Sequence, residues 1–260
     1  MSEPAANGIA TAVPILPPLY RSLEAVSAER HGKLRLRESG LGFARSASAV
    51  PLTAEEFGVA ARSLVIVFAA QAPHMPVALT GLTPETNHYV DAGGAWRIGA
   101  YVPAYLRRYP FFLLRVADGS DELALCFDPT APQVSEEAGE PMFTAEGKMA
   151  PQLERAFIFT KSVEEAMLRT RAMTTRLAEM GLLKPAVVEF ERLGKPIRVD
   201  GFHAVDRPAL AALPAEQLLE LRERNWLEPI YAHLLSLGGL PELAGPVPPR
   251  GAVAPAWGPG

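Results

Sequence analysis

The sequence predicts an α+β fold: a single compact domain with a mixed or antiparallel sheet and a helical C-terminal section. Three observations carry this. Short apolar and β-branched runs crowd the first half of the chain, the most apolar being residues 64–70, Leu-Val-Ile-Val-Phe-Ala-Ala. Helical three-to-four spacing follows Ser162, and a helical section returns after Asp206. Strands come first and helices later, an order that fits α+β and not a repeating βαβ series. With 48% apolar residues and a net charge of only −4, the chain has material for a core despite its 25 prolines.

In chain order, residues 1–18 are small and Pro-rich and read as a mobile arm. Leu34, Arg35, Leu36 and Arg37 alternate as a half-exposed strand does, and 43–52 reads as a second extended segment. Thr53 followed by Glu56 makes a capping box, so a helix starts there with Phe57, Ala60, Ala61 and Leu64 on one face. Residues 64–70 then form a central strand and 76–82 another. Pro103 suits the first turn of a short helix within 96–109. Residues 111–116 and 123–127 form a strand pair joined across 118–122.

Ser162 and Glu165 make a second capping box. Val163, Ala166, Met167, Thr170, Thr174 and Leu177 continue that helix, and Gly181 holds its C′ position. Residues 186–192 and 196–205 form a hairpin around Gly194. Asp206, just before Pro208, caps a further helix. Segments 214–226 and 227–237 complete the helical section; Trp226 anchors it onto the sheet, with Leu218 and Leu221 on the other helix face. Residues 241–260 carry Pro241, Pro246, Pro248, Pro249, Pro255 and Pro259 and read as an extended or disordered tail. The folded domain is thus expected over 19–240.

Several function classes drop out. One cysteine, Cys126, makes no intrachain disulfide, and its apolar setting predicts a buried, inert thiol. The nearly balanced charge offers no broad basic field, so no nucleic-acid partner is expected. No apolar run reaches the ~18–20 residues of a membrane span. The first 18 residues lack the Lys/Arg region of a secretory signal, so the cytoplasm is the expected location. G-x-G-x-x-G, Walker A, H-E-x-x-H, G-x-S-x-G and C-x-x-C are all absent. His31, His74 and His88 fall in polar, loop-like stretches and are expected in solvent. Asp118, Asp121, Glu122 and Asp128 lack calcium-loop spacing and read as a solvated turn.

Three stretches are compositionally unusual: Trp96-Arg97-Ile98-Gly99-Ala100-Tyr101-Val102-Pro103-Ala104-Tyr105-Leu106-Arg107-Arg108-Tyr109-Pro110-Phe111, then Asp200-Gly201-Phe202-His203-Ala204-Val205-Asp206, then Trp226 to Leu237. Together with Val77-Ala78-Leu79-Thr80-Gly81-Leu82 they resemble the bacterial SapC family over about residues 15–238. The family is named for a locus linked to a bacterial surface layer. The resemblance implies an accessory role, since some members lie beside genes for halogenase-like flavoproteins, cupin-like proteins and outer-membrane receptors. A peptide-transporter permease that shares the name is excluded here by the lack of spans.

Two sites follow as expectations. If 101–109 were helical, Tyr101, Tyr105 and Tyr109 would share one face beside Arg107 and Arg108. The functional reading is an aromatic and guanidinium pocket for an anionic or planar ligand, or for a protein or peptide partner. The plainer one is tyrosines in the core and arginines in salt bridges. His203, Asp206 and His233, inside the SapC-like stretches, supply two imidazoles and a carboxylate, a donor set for non-haem iron; purely structural roles are the alternative. The leading expectation is a non-enzymatic binding or accessory protein. A metal-dependent enzyme or oxygenase subunit is second, and a surface-layer structural protein third.

Overall fold

The computed structural model describes residues 16–115, 122–192 and 195–244. The predicted arm and tail lie almost wholly outside these residues, as do most of the 118–122 connection and the hairpin turn at Gly194.

The chain opens with β1 (Glu24–Ala25), α1 (Ala28–His31), β2 (Arg35–Leu36) and β3 (Ala49–Pro51). Next come α2 (Phe57–Ala60), β4 (Val65–Ala69), β5 (Pro76–Leu79), α3 (Ala104–Arg107), β6 (Phe111–Arg115) and β7 (Leu123–Phe127). β8 (Val134–Ser135) and β9 (Glu140–Pro141) precede the long helix α4 (Pro151–Glu179). The hairpin β10 (Leu183–Arg192) and β11 (Lys195–Val205) leads into α5 (Arg207–Ala211), α6 (Ala215–Glu223), α7 (Leu227–Ser236) and a closing 3-10 segment, Leu237–Ala244.

Every strand pair among the described residues is antiparallel, which resolves the mixed-or-antiparallel expectation. The largest sheet has the order β10-β11-β4-β5-β3. β4 is its middle strand, and Val65, Ile66, Val67 and Phe68 are all buried, as a continuous apolar run requires. α2, α4 and α7 cover this sheet through Phe57, Met173, Leu177 and Ile230. Burying each such side chain contributes about 1.5–3 kcal/mol.

Local signals explain several boundaries. The Thr53 N–H donates to Glu56 Oε2 at 2.8 Å, closing the expected capping box. Gly181 has φ +71°, and the Leu182 N–H reaches back to the Leu177 carbonyl, ending α4 as predicted. Asp206 accepts from the Ala209 N–H at the start of α5.

Other expectations are corrected. α4 begins at Pro151 and not at Ser162, whose hydroxyl donates to the Phe159 carbonyl within the helix. The segment 43–52 is a 3-10 turn, Gly42–Ala44, followed by the short β3. His31 is buried, because its Nδ1 accepts from the Ser27 N–H and its ring packs edge-on to Phe127 at 4.9 Å. His74 and His88 are half-buried rather than free in solvent. Asp128 is fully buried: its carboxylate accepts from the Arg21 N–H, the Thr130 N–H and the Thr130 hydroxyl. Leu218 is exposed while Leu221 is buried, and Trp226 is half-buried with the Arg224 guanidinium 4.9 Å from its ring centroid. Cys126 is buried as expected, and burial raises its thiol pKa.

Candidate functional site

The Tyr/Arg residues do not form one pocket. Pro103 stands at the N-cap with extended ψ of 141°, so α3 holds only Ala104–Arg107 and Tyr101 lies before it. Pro110 disfavours helical geometry at Tyr109. The five residues divide into two sets.

Tyr105, Arg108 and Tyr109 belong to a closed core that fastens residues 18–21 to the body. Tyr105 donates to the Pro18 carbonyl at 2.8 Å, Tyr20 to the Phe111 carbonyl at 2.7 Å, and Tyr109 to Asp128 Oδ2 at 3.3 Å. Phe43 stacks on Tyr109 at 4.1 Å. The Arg108 guanidinium lies between Tyr105 (4.5 Å) and Phe112 (4.2 Å) and pairs with Glu164 at 3.2 Å. It is only 3% exposed, and its buried Nε has no hydrogen-bond acceptor among the described residues. Burial pushes the Tyr105 and Tyr109 hydroxyls up to about 12 and raises Tyr20 as well, so all three remain donors. Burial also opposes ionisation of Asp128, but the hydrogen bonds from Arg21, Thr130 and Ser22 outweigh it and hold that carboxyl below its usual range.

Arg107 faces outward, and Tyr101 beside it is half-buried. Arg107 Nη2 donates to the Tyr101 hydroxyl at 3.1 Å, and the guanidinium lies 5.1 Å from the Phe159 ring centroid. Tyr101 in turn donates to Glu56 Oε1 at 3.0 Å, and so does the Ala104 N–H at 2.7 Å. Glu56 is therefore a buried hub: one oxygen caps the turn at Thr53 and the other fixes the start of α3.

His203, Asp206 and His233 are not brought together as ligands, which corrects the iron expectation. Both nitrogens of His233 are in use: Nε2 accepts from the Val205 N–H at 3.1 Å, and Nδ1 donates to the Ile66 carbonyl at 2.8 Å. The reason lies in the sheet. The register pairs Phe202 with Ala69 and His203 with Phe68, and continuing it would set Val205 opposite Ile66. There the strands part, and the imidazole takes the place of the missing backbone bonds. Ser236 Oγ accepts the Ile66 N–H beside it. This neutral role, with burial as its main cause, lowers the His233 pKa to about 4. His203 instead faces His74, with ring centroids 4.5 Å apart, and burial together with that neighbour lowers its pKa. Asp206 is occupied as the α5 cap. Among the described residues no three His, Cys, Asp or Glu side chains converge as a metal site.

An open cleft of about 1040 Å³ lies elsewhere, between residues 87–100, the 61–65 segment and the end of α7 with the closing turn. Its loop is tightly pinned. Val90 and Trp96 form a β-bridge, and the Ala95 N–H donates to Asp91 Oδ1 at 2.9 Å. Gly94 has φ +85°, and a Cβ there would come within 3.3 Å of the Gly42 backbone. Tyr89 donates to the Ser63 carbonyl at 2.6 Å, and the Tyr101 N–H donates to the Ser63 hydroxyl.

Tyr89 and Trp96 stack in this cleft at 5.3 Å, with the Arg97 guanidinium 5.4 Å from the Tyr89 centroid. Ile98 is 100% exposed and Leu235 75%, so the cleft has an apolar rim. Arg62, Asp91 and Glu242 add charges of both signs. The Trp96 Nε1–H is buried and has no acceptor among the described residues. None of these was a sequence-level site candidate. The one signal was Trp96-Arg97-Ile98 itself, an aromatic, a cation and an unpatterned isoleucine in a row.

Fold and cleft together define a small α+β protein with a preformed aromatic groove and, among the described residues, no helix long and apolar enough to cross a membrane. The model of the SapC family matches residues 26–243, and the chain belongs to that family. No curated protein and no solved structure matches it.

Proposed function

We propose that this SapC-family chain is a cytoplasmic, non-enzymatic accessory protein that seats an extended, proline-containing peptide segment of a partner in the Tyr89–Trp96 cleft. The observation that carries this reading is the stacked Tyr89–Trp96 pair lining an open cleft whose rim exposes Ile98 and Leu235. Pro-rich chains dock on aromatic-lined grooves because their extended form is already ordered. The apolar rim at Ile98 and Leu235 suits proline rings, and the mixed charges suit a peptide better than a simple anion.

The test is fluorescence anisotropy with a fluorescein-labelled proline decapeptide. Saturable binding is expected. Trp96→Phe keeps a ring in the stack but shrinks the aromatic surface offered to the peptide, so it should weaken binding about tenfold. No saturation up to millimolar protein, or binding indifferent to both Trp96→Phe and Ile98→Asp, overturns the reading.

A further inference from the structure

We propose that a small cavity at the junction of α6 and α7 binds a free α-amino acid with an apolar side chain, its ammonium on Glu228 and its carboxylate on Arg169 and Arg224. The cavity measures about 230 Å³ and shares no lining residue with the Tyr89–Trp96 cleft, so it stands apart from the peptide reading. That volume falls below the ~300–1,000 Å³ of pockets for drug-sized ligands, so its occupant is small.

Four segments build the cavity: the turn before α2, the long helix α4, the α6–α7 junction and the first turn of α7. The protein's own bonds fix its walls. The Ala54 N–H donates to Thr170 Oγ1 at 2.8 Å and ties the turn to α4. Arg169 Nε donates to Glu55 Oε1 at 2.7 Å across the same seam. α6 stops at Asn225, where φ is +58°; the Asn225 N–H reaches the Arg222 carbonyl and the Trp226 N–H that of Leu221. That stop sets Trp226 against the Arg224 guanidinium and starts α7 with Glu228 in its first turn.

The ligand class follows from which groups are spent and which are free. Glu55 is paired with Arg169. The Glu228 carboxylate has no hydrogen bond or ion pair among the described residues, and neither has the Asn225 carboxamide. A Cβ on Gly58 would stand 2.7 Å from Glu228 Oε1, so the glycine gives this carboxylate its place. Arg169 and Arg224 each meet a carboxylate through Nε, Arg224 on Glu220 at 3.2 Å. Their terminal amino groups remain for another acceptor.

The lining therefore carries two carboxylates and two guanidiniums. A simple anion would meet Glu55 and Glu228, and a simple cation would meet Arg169 and Arg224. A zwitterion satisfies both signs at once. An α-amino acid carries both charges about one carbon and leaves its side chain for the apolar wall of Trp226 and Pro229. The charged side chains are largely exposed, so affinity is modest, with a Kd of about 0.1–1 mM.

The test is ligand-observed fluorine NMR of para-fluoro-L-phenylalanine titrated with the full chain. Saturable binding, displaced by L-phenylalanine, is expected. N-acetyl-L-phenylalanine lacks the ammonium and L-phenylalaninamide lacks the carboxylate; each should compete about tenfold more weakly. Glu228→Gln should weaken the amino acid about tenfold and leave the N-acetyl compound unchanged. Arg169→Gln should do the same and leave the amide unchanged. Both variants alter exposed side chains, so their denaturation midpoints should stay near that of the wild type. No saturation up to about 10 mM, or indifference to both substitutions, overturns the proposal. So does an amide that competes as well as the amino acid, which marks a plain amine site, or an equally good N-acetyl compound, which marks a plain anion site. Displacement by the proline decapeptide would merge the two cavities and overturn the separate site.

Discussion

Two neighbouring regions, Tyr105–Arg108–Tyr109 and Tyr89–Trp96–Arg97, are built from the same kinds of residue and do opposite things. Each stacks aromatics with a guanidinium, and each contains one buried N–H donor without an acceptor among the described residues: Arg108 Nε in the first and Trp96 Nε1 in the second. The first is sealed. Arg108 lies between two rings, the tyrosine hydroxyls are spent on Pro18, Phe111 and Asp128, and no room remains for a ligand. The second borders about 1040 Å³ of open space. An aromatic–arginine cluster is therefore not a site by composition. What separates the two is whether the aromatic stack borders space that another molecule can enter.

The largest expected effect tests the sealed side. Arg108→Ala leaves a cavity between Tyr105 and Phe112 and strands Glu164, and should cost about 3–5 kcal/mol. Chemical denaturation measures it; a loss below about 1 kcal/mol would move Arg108 out of the core and into contention as a ligand group.

Next is the pH profile. His233 has a folded-state pKa near 4, below its ordinary value of about 6.5. The unfolded chain thus takes up this proton first as pH falls. The stabilisation is complete above about pH 6.5 and declines towards pH 4, by about 3 kcal/mol. Denaturant titrations across that window should show the slope in the wild type. His233→Gln should be less stable at neutral pH and flatter with pH; an unchanged slope would detach the effect from this imidazole.

A smaller effect is expected at Glu56→Gln, where an amide group replaces one of the two accepting oxygens. About 2 kcal/mol should be lost, and calorimetry checks it. The smallest sharpens the comparison most: Trp96→Phe should alter stability by less than about 0.5 kcal/mol while weakening peptide binding. A large stability loss there would make the cleft another piece of core.

Much of the fold was legible because its signals are local. β4 announces itself as an apolar run, and Thr53, Glu56, Gly181 and Asp206 mark their own boundaries. The start of α4 was not legible, because before Ser162 its only buried residues are Leu153 and Thr160. Thr160 satisfies its hydroxyl on the Ala156 carbonyl, so burial there leaves no apolar pattern. The i, i+4, i+8 spacing of the tyrosines misled because Pro103 and Pro110 bound the helix more tightly than periodicity suggests. His233 and the cleft were invisible for a different reason. Arg62, Tyr89, Trp96 and Leu235 meet only after α7 has docked beside β4, and His233 finds its partners on two separate strands.

That docking also divides the sheet's stability unevenly. β10 and β11 pair along nearly their whole length, yet β11 joins β4 through only Phe202–Ala69 and His203–Phe68, with His233 bridging the next position. The outer hairpin is thus a long lever on a short hinge. In hydrogen exchange its amides should open as their own subglobal unit, ahead of β4 and β5, and acidification should release that unit first.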